Sequence, residues 1–229
     1  MRKKITTSLK QVPLFRDLTI EEIERIVEIT ISRSIPKKGI VFSEGSPKEA
    51  VYFIREGLIK TYKTDENGHE QIVSFLKAGD MFPHAGFFDQ NPYPATAEAL
   101  TDTHLLAIPI QSFEQLVMTT PSIAIKMMRV MGNIIMDLQE RLQGLSGKDV
   151  KKRAIAFLLK LADQHGVVKG DKIEINLPVT NQEFANFVGT SRETINRLFS
   201  QAGKEDILSV ERNRITITDP DALREQLES

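Results

Sequence analysis

The stretch that most constrains this chain is Thr180–Leu198, which reads TNQEFANFVGTSRETINRL. Its pattern predicts two short helices joined by a tight turn. Gly189 stands where the chain must turn sharply, a position that favours a residue tolerant of positive φ. Thr180 or Asn181 can cap the first helix, and Ser191 can cap the second. We interpret the stretch as a helix-turn-helix whose second helix starts at Ser191.

The two helices have an apolar side and a polar side. The residues predicted to face inward are Phe184, Ala185, Val188, Ile195 and Leu198. The face left over on the second helix carries Arg192, Glu193, Asn196 and Arg197. A guanidinium can grip guanine, a carboxylate can accept from the cytosine amino group, and an amide can pair with adenine. This face is therefore predicted to read bases, and the alternative is an ordinary helical hairpin with a solvated charged face.

The segments around this motif complete a small domain. A helix at Asp149–His165, a loop at Gly166–Asp171 and a short strand at Lys172–Leu177 are predicted before it. Strands at 208–210 and 215–217 after it indicate a hairpin wing, followed by a last helix from Asp219. At the tip of the wing, Arg212 and Arg214 could touch phosphate, although a solvated turn is equally compatible with the pattern.

The composition and turn spacing of the first half of the chain predict a β-domain. A helix is predicted over residues 14–30, with a capping box from Thr19 to Glu22. From Ile35 to Ile108, short runs rich in Val, Ile, Tyr and Phe alternate with turns, which indicates an antiparallel sandwich or roll. The predicted strands are Ile40–Phe42, Val51–Ile54, Leu58–Tyr62, Gln71–Phe75, Thr96–Ala99 and His104–Ile108. At the Asp65–Gly68 hairpin turn, Asn67 and Gly68 are both expected to be left-handed.

A long helix from about Pro121 to about Leu145 separates the two halves. Its apolar stripe can pack within the chain or against a second copy, and we favour a two-fold dimer because recognition helices are usually used in pairs. The predicted dimer seam is Met127, Met131, Ile134, Leu138, Leu142 and Leu145. Gly144–Gly147 is interpreted as a hinge. The predicted division is therefore 1–120, a β-roll domain; 121–146, the dimerisation helix and hinge; and 147–229, the winged helix-turn-helix.

Composition excludes several kinds of function. The formal net charge of the 229 residues is −1, so any DNA contact must come from a local patch. There is no cysteine, which excludes disulfides and a cysteine-ligated iron–sulfur cluster. The four histidines lack metal-ligand spacing, and we find no catalytic motif such as a phosphate loop or nucleophile elbow. Because no catalytic motif is found, we do not expect an enzyme. Because no apolar run has membrane-spanning length, we expect a soluble cytoplasmic protein.

The order of these parts resembles the bacterial regulators related to the cyclic-AMP receptor protein and the fumarate–nitrate reduction regulator (CRP/FNR), over nearly the whole chain. One matching stretch is Thr180–Leu198, above all its Thr190–Arg197 segment. The other is a roll signature made of Lys38-Gly39, Glu44-Gly45, Tyr52–Ile54, Gly57–Tyr62, Gly68 and Gly79–Phe82. The resemblance implies an α+β fold with an N-terminal cyclic-nucleotide-binding-like antiparallel β-roll (jelly roll), a long dimerisation helix and a C-terminal winged helix-turn-helix.

The resemblance also implies roles for individual residues. Arg192, Glu193 and Arg197 would read bases in a palindromic operator with TGTGA-like half-sites, and Asn196 could add a contact. Phosphates would be bonded by Thr180, Asn181, Gln182, Ser191 and Thr194. The implied partners are double-stranded DNA, a second copy of the chain and RNA polymerase.

The effector site departs from the family pattern. The implied pocket is Gly79, Asp80, His84, Ala95, Thr96, Leu138 and Gln139. His84 stands where cyclic-nucleotide binders offer a glutamate to the ribose, and Pro94 where they offer an arginine to the cyclic phosphate. A buried phosphate without a cationic partner is costly to hold, so cyclic AMP is not expected in the usual mode.

The sequence leaves open how DNA binding is controlled. The dimer could respond to an unidentified effector or be constitutively competent for DNA. The Met81–His84 run is similar to a haem-binding branch, but without a clear second ligand haem is the less favoured interpretation. The chain could also be an effector-binding module that acts mainly on protein partners.

Overall fold

The computed structural model describes residues 2–84, 91–145, 150–211 and 214–228. The chain forms two compact units, Met1–Asp137 and Leu138–Ser229, and the boundary between them falls inside one long helix. The helices of the first unit, the long helix included, are α1 Arg2–Gln11, α2 Ile20–Glu28, α3 Ile110–Thr119 and α4 Pro121–Leu145, with a 3₁₀ turn at Pro13–Phe15. Its strands are β1 Ile31–Ile35, β2 Ile40–Phe42, β3 Ala50–Glu56, β4 Leu58–Thr64, β5 Glu70–Lys77, β6 Met81–Phe82, β7 Thr96–Ala99 and β8 Thr103–Pro109.

The strands of the first unit form two antiparallel four-stranded sheets. Their strand orders are β1-β8-β3-β6 and β2-β7-β4-β5. The inward side chains of both sheets meet in one core, to which β3 gives Tyr52 and Ile54, and β7 gives Ala97 and Ala99. Alternation along a strand sends neighbouring residues to opposite faces, so Val51 and Phe53 of β3 lie in a second core. The result is a β-roll with an apolar interior.

The second core lies between the β1-β8-β3-β6 sheet and the helices. Leu9 of α1, Ile23 of α2, Phe113 of α3 and Met127 of α4 are all buried there. The predicted capping box forms, since the Thr19 hydroxyl accepts from the Glu22 amide and the Glu22 carboxylate accepts from the Thr19 amide. Among the described residues, no helix is both long and apolar enough to cross a membrane.

The second unit is a helical domain with one small sheet. Its elements are α5 Val150–His165, β9 Gly166–Lys169, β10 Lys172–Ile175, α6 Asn181–Val188, α7 Arg192–Lys204, β11 Leu208–Glu211, β12 Arg214–Ile217 and α8 Pro220–Glu228. The antiparallel sheet has the order β11-β12-β10-β9. The buried face of α5, which includes Phe157 and Leu158, packs against α6 and α8.

Each of the six predicted β-roll strands lies within an observed strand, and the predicted fold class is confirmed. The helix predicted over 14–30 is wrong in extent, because α2 covers only Ile20–Glu28 and a separate 3₁₀ turn lies at Pro13–Phe15. The predicted loop at Gly166–Asp171 is mostly strand β9, where Val167 and Val168 pair with β10. Of the predicted hinge, residues 144 and 145 end α4, and residues 146 and 147 lie outside the described residues. The three-domain boundaries stay a prediction.

The Asp65–Gly68 turn differs from its predicted geometry. Gly68 has the expected positive φ of 82°, but Asn67 does not. The Asp65 carboxylate accepts from the amides of Asn67 and His69, at 2.9 and 2.8 Å. These bonds hold the turn with one left-handed residue, so the two-residue type expected from the Asn-Gly pair is not formed.

Candidate nucleic-acid interface

Helices α6 and α7 are each started by a side-chain cap. The Thr180 hydroxyl accepts from the Glu183 amide at 3.2 Å, and the Glu183 carboxylate accepts from the Thr180 amide at 2.9 Å. The Ser191 hydroxyl accepts from the Thr194 amide at 3.3 Å. Thr180, rather than Asn181, is therefore the N-cap of α6, and Ser191 caps α7 as predicted.

The turn between the helices is made by Gly189. Its φ of 74° is left-handed, and its amide donates to the Ala185 carbonyl at 2.9 Å. A residue with a Cβ would be strained in this conformation. The turn therefore sets where α7 starts relative to α6.

Aromatic packing holds α6 and α7 on α5. Phe184 is buried with its ring centroid 4.7 Å from that of Phe157 and 5.0 Å from that of Phe199. The predicted inner residues Phe184, Ala185, Val188 and Ile195 are buried. Leu198 is half-buried beside Ala154 and Ile155 of α5, while Phe199, which the pattern did not single out, is the more buried anchor of α7. Both lie within one helical turn of Ile195, and the position of α5 decides between them.

The outer face of α7 presents all four predicted base-reading residues to solvent. Arg192, Glu193, Asn196 and Arg197 are exposed. Within the described part of the chain, neither Arg192 nor Arg197 forms an ion pair with a carboxylate. Both guanidinium groups are therefore available for a ligand.

Glu193 is ionised at neutral pH. Hydrogen bonds from its own backbone N–H and from the Ser191 hydroxyl hold the pKa of the Glu193 carboxyl below its ordinary value. An ionised carboxylate accepts hydrogen bonds and donates none. It has the chemistry needed to accept from the exocyclic amino group of cytosine.

Two predicted DNA contacts are hydrogen-bonded to each other. The side-chain Nδ2 of Asn181 donates to the side-chain oxygen of Asn196 at 2.7 Å. This bond links the start of α6 to the outer face of α7. Gln182 makes a similar bond of 2.7 Å to Asn186. The Asn181–Asn196 bond is a positioning contact that the sequence pattern did not reveal, because the two residues are fifteen positions apart.

The wing places one predicted cation close to polar neighbours. The Arg214 Nε donates to the Asn176 side-chain oxygen at 3.2 Å, and its Nη1 lies 3.9 Å from a Glu211 carboxylate oxygen. Arg214 remains exposed. Arg212, the other predicted wing contact, lies outside the described residues.

The predicted effector residues lie in several parts of the fold. Gly79 and Asp80 form the β5–β6 turn, where the Asp80 carboxylate accepts from the Lys77 amide at 2.8 Å. Burial raises the pKa of Asp80 and lowers that of His84, which follows β6. The Thr96 hydroxyl accepts from the Glu44 amide at 3.0 Å, and the adjacent Ala95 is buried. Leu138 and Gln139 are exposed on α4, in the second unit.

Comparison with protein families matches both halves of the chain. Residues 32–120 match the cyclic nucleotide-binding domain, and residues 152–226 match the Crp-like helix-turn-helix domain. The chain is 32% identical over 206 residues to the anaerobic regulatory protein of Pasteurella multocida, covering 90% of this chain and 74% of that protein. It is also 32% identical over 203 residues to electron transport regulator A of Shewanella oneidensis, covering 88% and 81%. The chain belongs to the CRP/FNR family. Its members are transcription regulators rather than enzymes.

Solved structures agree with the CRP/FNR assignment. FixK2 from Bradyrhizobium japonicum has the same fold, with a TM-score of 0.76 and 24% identity over 86% of this chain and 96% of that one. A CooA mutant from Carboxydothermus hydrogenoformans gives a TM-score of 0.73 and 25% identity, covering 87% and 88%. The predicted family and the prediction of a DNA-binding transcription regulator are confirmed.

Proposed function

We propose that this CRP/FNR regulator works as a homodimer that reads a palindromic, TGTGA-like operator through α7. The observation that carries the proposal is the outer face of α7, where Arg192, Glu193 and Arg197 are exposed and neither arginine is ion-paired with a carboxylate in the described chain. Bidentate guanidinium contacts to guanine are the commonest specific contacts in the major groove. Asn196, held by Asn181, adds a fourth base-facing group.

Contacts to the DNA phosphates would come from the first turns of α6 and α7 and from the wing. The first-turn amides of α7 favour a phosphate, and the hydroxyls of Ser191 and Thr194 lie beside them. Thr180, Asn181 and Gln182 occupy the corresponding place on α6. Together with Arg214 and Arg212 of the wing, these groups would fix the register on the duplex without carrying sequence information.

The dimer would form along α4. Of the side chains described on this helix, the large apolar ones that are exposed are Ile125, Met128, Ile135, Met136 and Leu138. Ile125, Met128, Gly132 and Ile135 follow heptad spacing, and a Cβ at Gly132 would meet open space, so a second helix can approach closely there. An exposed apolar stripe of this kind marks an interaction surface.

The structure changes the predicted seam. Met127 is only 5% exposed and lies in the core of its own unit, so the seam that we propose omits it. Met131 packs partly against the same core, and Ile134 is half-buried. Leu138 is exposed and stays in the proposal. The side chains of Leu142 and Leu145 lie outside those that the structure describes.

Replacing Arg197 by Ala is expected to cost about 1–3 kcal/mol of operator binding and to relax selectivity at one guanine, because a bidentate base contact is lost. Gel-shift titration against the operator and against single-base variants measures both effects. Lys204→Ala, which removes an exposed cation at the far end of α7, is the matched control and should leave selectivity unchanged. Equal weakening on every sequence would make Arg197 a phosphate contact instead.

We propose that the β-roll does not bind a cyclic nucleotide in the usual mode. Four aromatic rings pack in the core of the roll: Phe42 stacks on Tyr93 at a centroid distance of 3.8 Å, and Tyr52 stacks on Phe82 at 5.4 Å. The Tyr93 hydroxyl is itself bound to the backbone of Ala50. His84 and Pro94 supply neither of the groups that hold ribose and phosphate in cyclic-nucleotide binders. We therefore propose either an effector of another class or a constitutively competent dimer.

Adding cyclic AMP is expected to leave operator affinity unchanged. The physical reason is that Pro94 stands where cyclic-nucleotide binders offer a cation to the phosphate, and a buried phosphate without a cation is costly to hold. A gel shift with and without millimolar cyclic AMP checks this, with cyclic GMP as the control for non-specific nucleotide effects. A large gain in affinity with cyclic AMP alone would contradict the proposal.

The remaining partners follow from the family. A CRP/FNR regulator that binds operator DNA acts on transcription, so we propose RNA polymerase as a protein partner and the cytoplasm as the place of action. Among the described residues, no group of three or more metal-ligating side chains is clustered. Haem at His84 stays the less favoured alternative.

A further inference from the structure

The first unit contains a cavity of about 110 Å³ on its α1 side. It lies between the end of α1, the end of β3 and the β5–β6 turn. Its apolar part is formed by Val12 and Ile54, and its polar part by Ser8, Gln11 and Arg55. An engineered cavity of about 150 Å³ holds a benzene molecule, so the space suits a ligand of a few non-hydrogen atoms and is too small for a nucleotide.

Arg55 reaches this cavity because β3 contains a bulge. Ile54 pairs with Leu105 and Glu56 pairs with His104, which leaves Arg55 as the extra residue of the strand. A bulge of this kind redirects a side chain out of the regular ladder, and bulges are common beside binding sites. The strand therefore departs from regular pairing at the residue that brings a charge to the cavity.

The guanidinium of Arg55 has no partner among the residues that the structure describes. Arg55 is half-buried, and within the described part of the chain it makes no hydrogen bond or ion pair. Gln11 at the rim is likewise without a partner there. No carboxylate lines the cavity among the described residues, and the nearby Asp80 carboxylate is bound to the Lys77 amide. As far as the chain is described, the site thus carries a positive charge without a carboxylate against it.

Partly burying a charge without a partner is unfavourable, and a guanidinium matches the geometry of carboxylate and phosphate oxygens. We infer that this cavity binds a small oxyanion, a carboxylate or a phosphate, through Arg55 and Gln11. The anion would bridge α1 and the β5–β6 turn, whose Ala78 and Gly79 also line the cavity. Of the residues predicted for the effector pocket, the cavity shares Gly79 alone among those described, so it is a separate site.

Isothermal titration calorimetry of the full chain tests this inference without DNA, so its outcome is independent of operator recognition. The probes are inorganic phosphate and pyruvate, titrated separately at constant ionic strength. We expect saturable binding of at least one probe at one site per chain. Binding of phosphate alone, of pyruvate alone or of both would identify the class of oxyanion within the proposal.

Two variants and a control connect the binding to the cavity. Arg55→Gln removes the charge, and Gln11→Glu places a carboxylate at the exposed rim, where it would compete for Arg55. Each is expected to weaken binding at least about tenfold, because hydrogen bonds to a charged group are among the strong ones. Arg25→Gln makes the same change as Arg55→Gln at an exposed position on α2 and should bind like the unmodified chain. No saturable binding of either probe, or binding that both cavity variants retain, would overturn the inference.

Discussion

Replacing Ile135 by Lys is expected to convert the proposed dimer into a monomer and to weaken operator binding at least about a hundredfold, because the two half-sites are then no longer bound by linked copies. Ile135 is 55% exposed and lies seven residues after Met128, which is 69% exposed, so both belong to one stripe of α4. In a two-fold interface each residue of the stripe meets its own copy or a close neighbour. A lysine there would place two like charges in an apolar seam, where charges are costly.

Sedimentation velocity across a range of concentrations measures the dimer, and a gel shift measures the loss of DNA binding. Because Ile135 is exposed in the chain itself, the substitution should leave the fold intact. Met118→Lys is the matched control, since Met118 is 80% exposed at the end of α3 and outside the stripe. A dimer that persists in the Ile135→Lys variant would show that this stripe of α4 is not the dimer interface.

Replacing Phe184 by Ala is expected to destabilise the second unit by about 3–5 kcal/mol, the usual cost of deleting a buried phenyl ring. Phe184 is fully buried and contacts Phe157 of α5 and Phe199 of α7. Its loss removes the support of α7, so DNA binding should fall together with stability.

Hydrogen exchange followed by mass spectrometry is the appropriate measurement, because a protein of two units need not unfold in one step. Protection should fall in α5, α6 and α7 and stay unchanged in the β-roll strands. Asn186→Ala, on the same helix but only half-buried, should change the unfolding free energy by about 0.5 kcal/mol or less. If hydrogen-exchange protection of α7 were unchanged in the Phe184→Ala variant, the aromatic cluster would not be what holds this helix in place.

Local rules predicted the motif well. The caps at Thr180 and Ser191 and the left-handed Gly189 depend on residues a few positions apart, and the structure has all three. The choice between Leu198 and Phe199 depends on α5, which lies well before them in the chain. The Asn181–Asn196 bond likewise depends on how two helices cross, which spacing alone does not encode.

Non-local pairing explains the larger errors. Strand β1 reads ISRSI and is mostly exposed, so it has no buried face to signal it, and it exists through pairing with β8. On α4, the sequence offers two overlapping apolar stripes. Burial of Met127 against the chain's own core leaves the other stripe free, and this assignment requires the packing of the roll. The sequence did not reveal the cavity beside Arg55, because a β-bulge has no characteristic spacing of apolar residues.

The most direct test of the account is native mass spectrometry of the chain with operator duplexes. One duplex carries two inverted TGTGA half-sites with centres about one helical turn apart, and the second has one half-site scrambled. The account predicts two chains on the intact duplex and much weaker binding to the scrambled one. One chain per intact duplex, or equal binding to both, would contradict it.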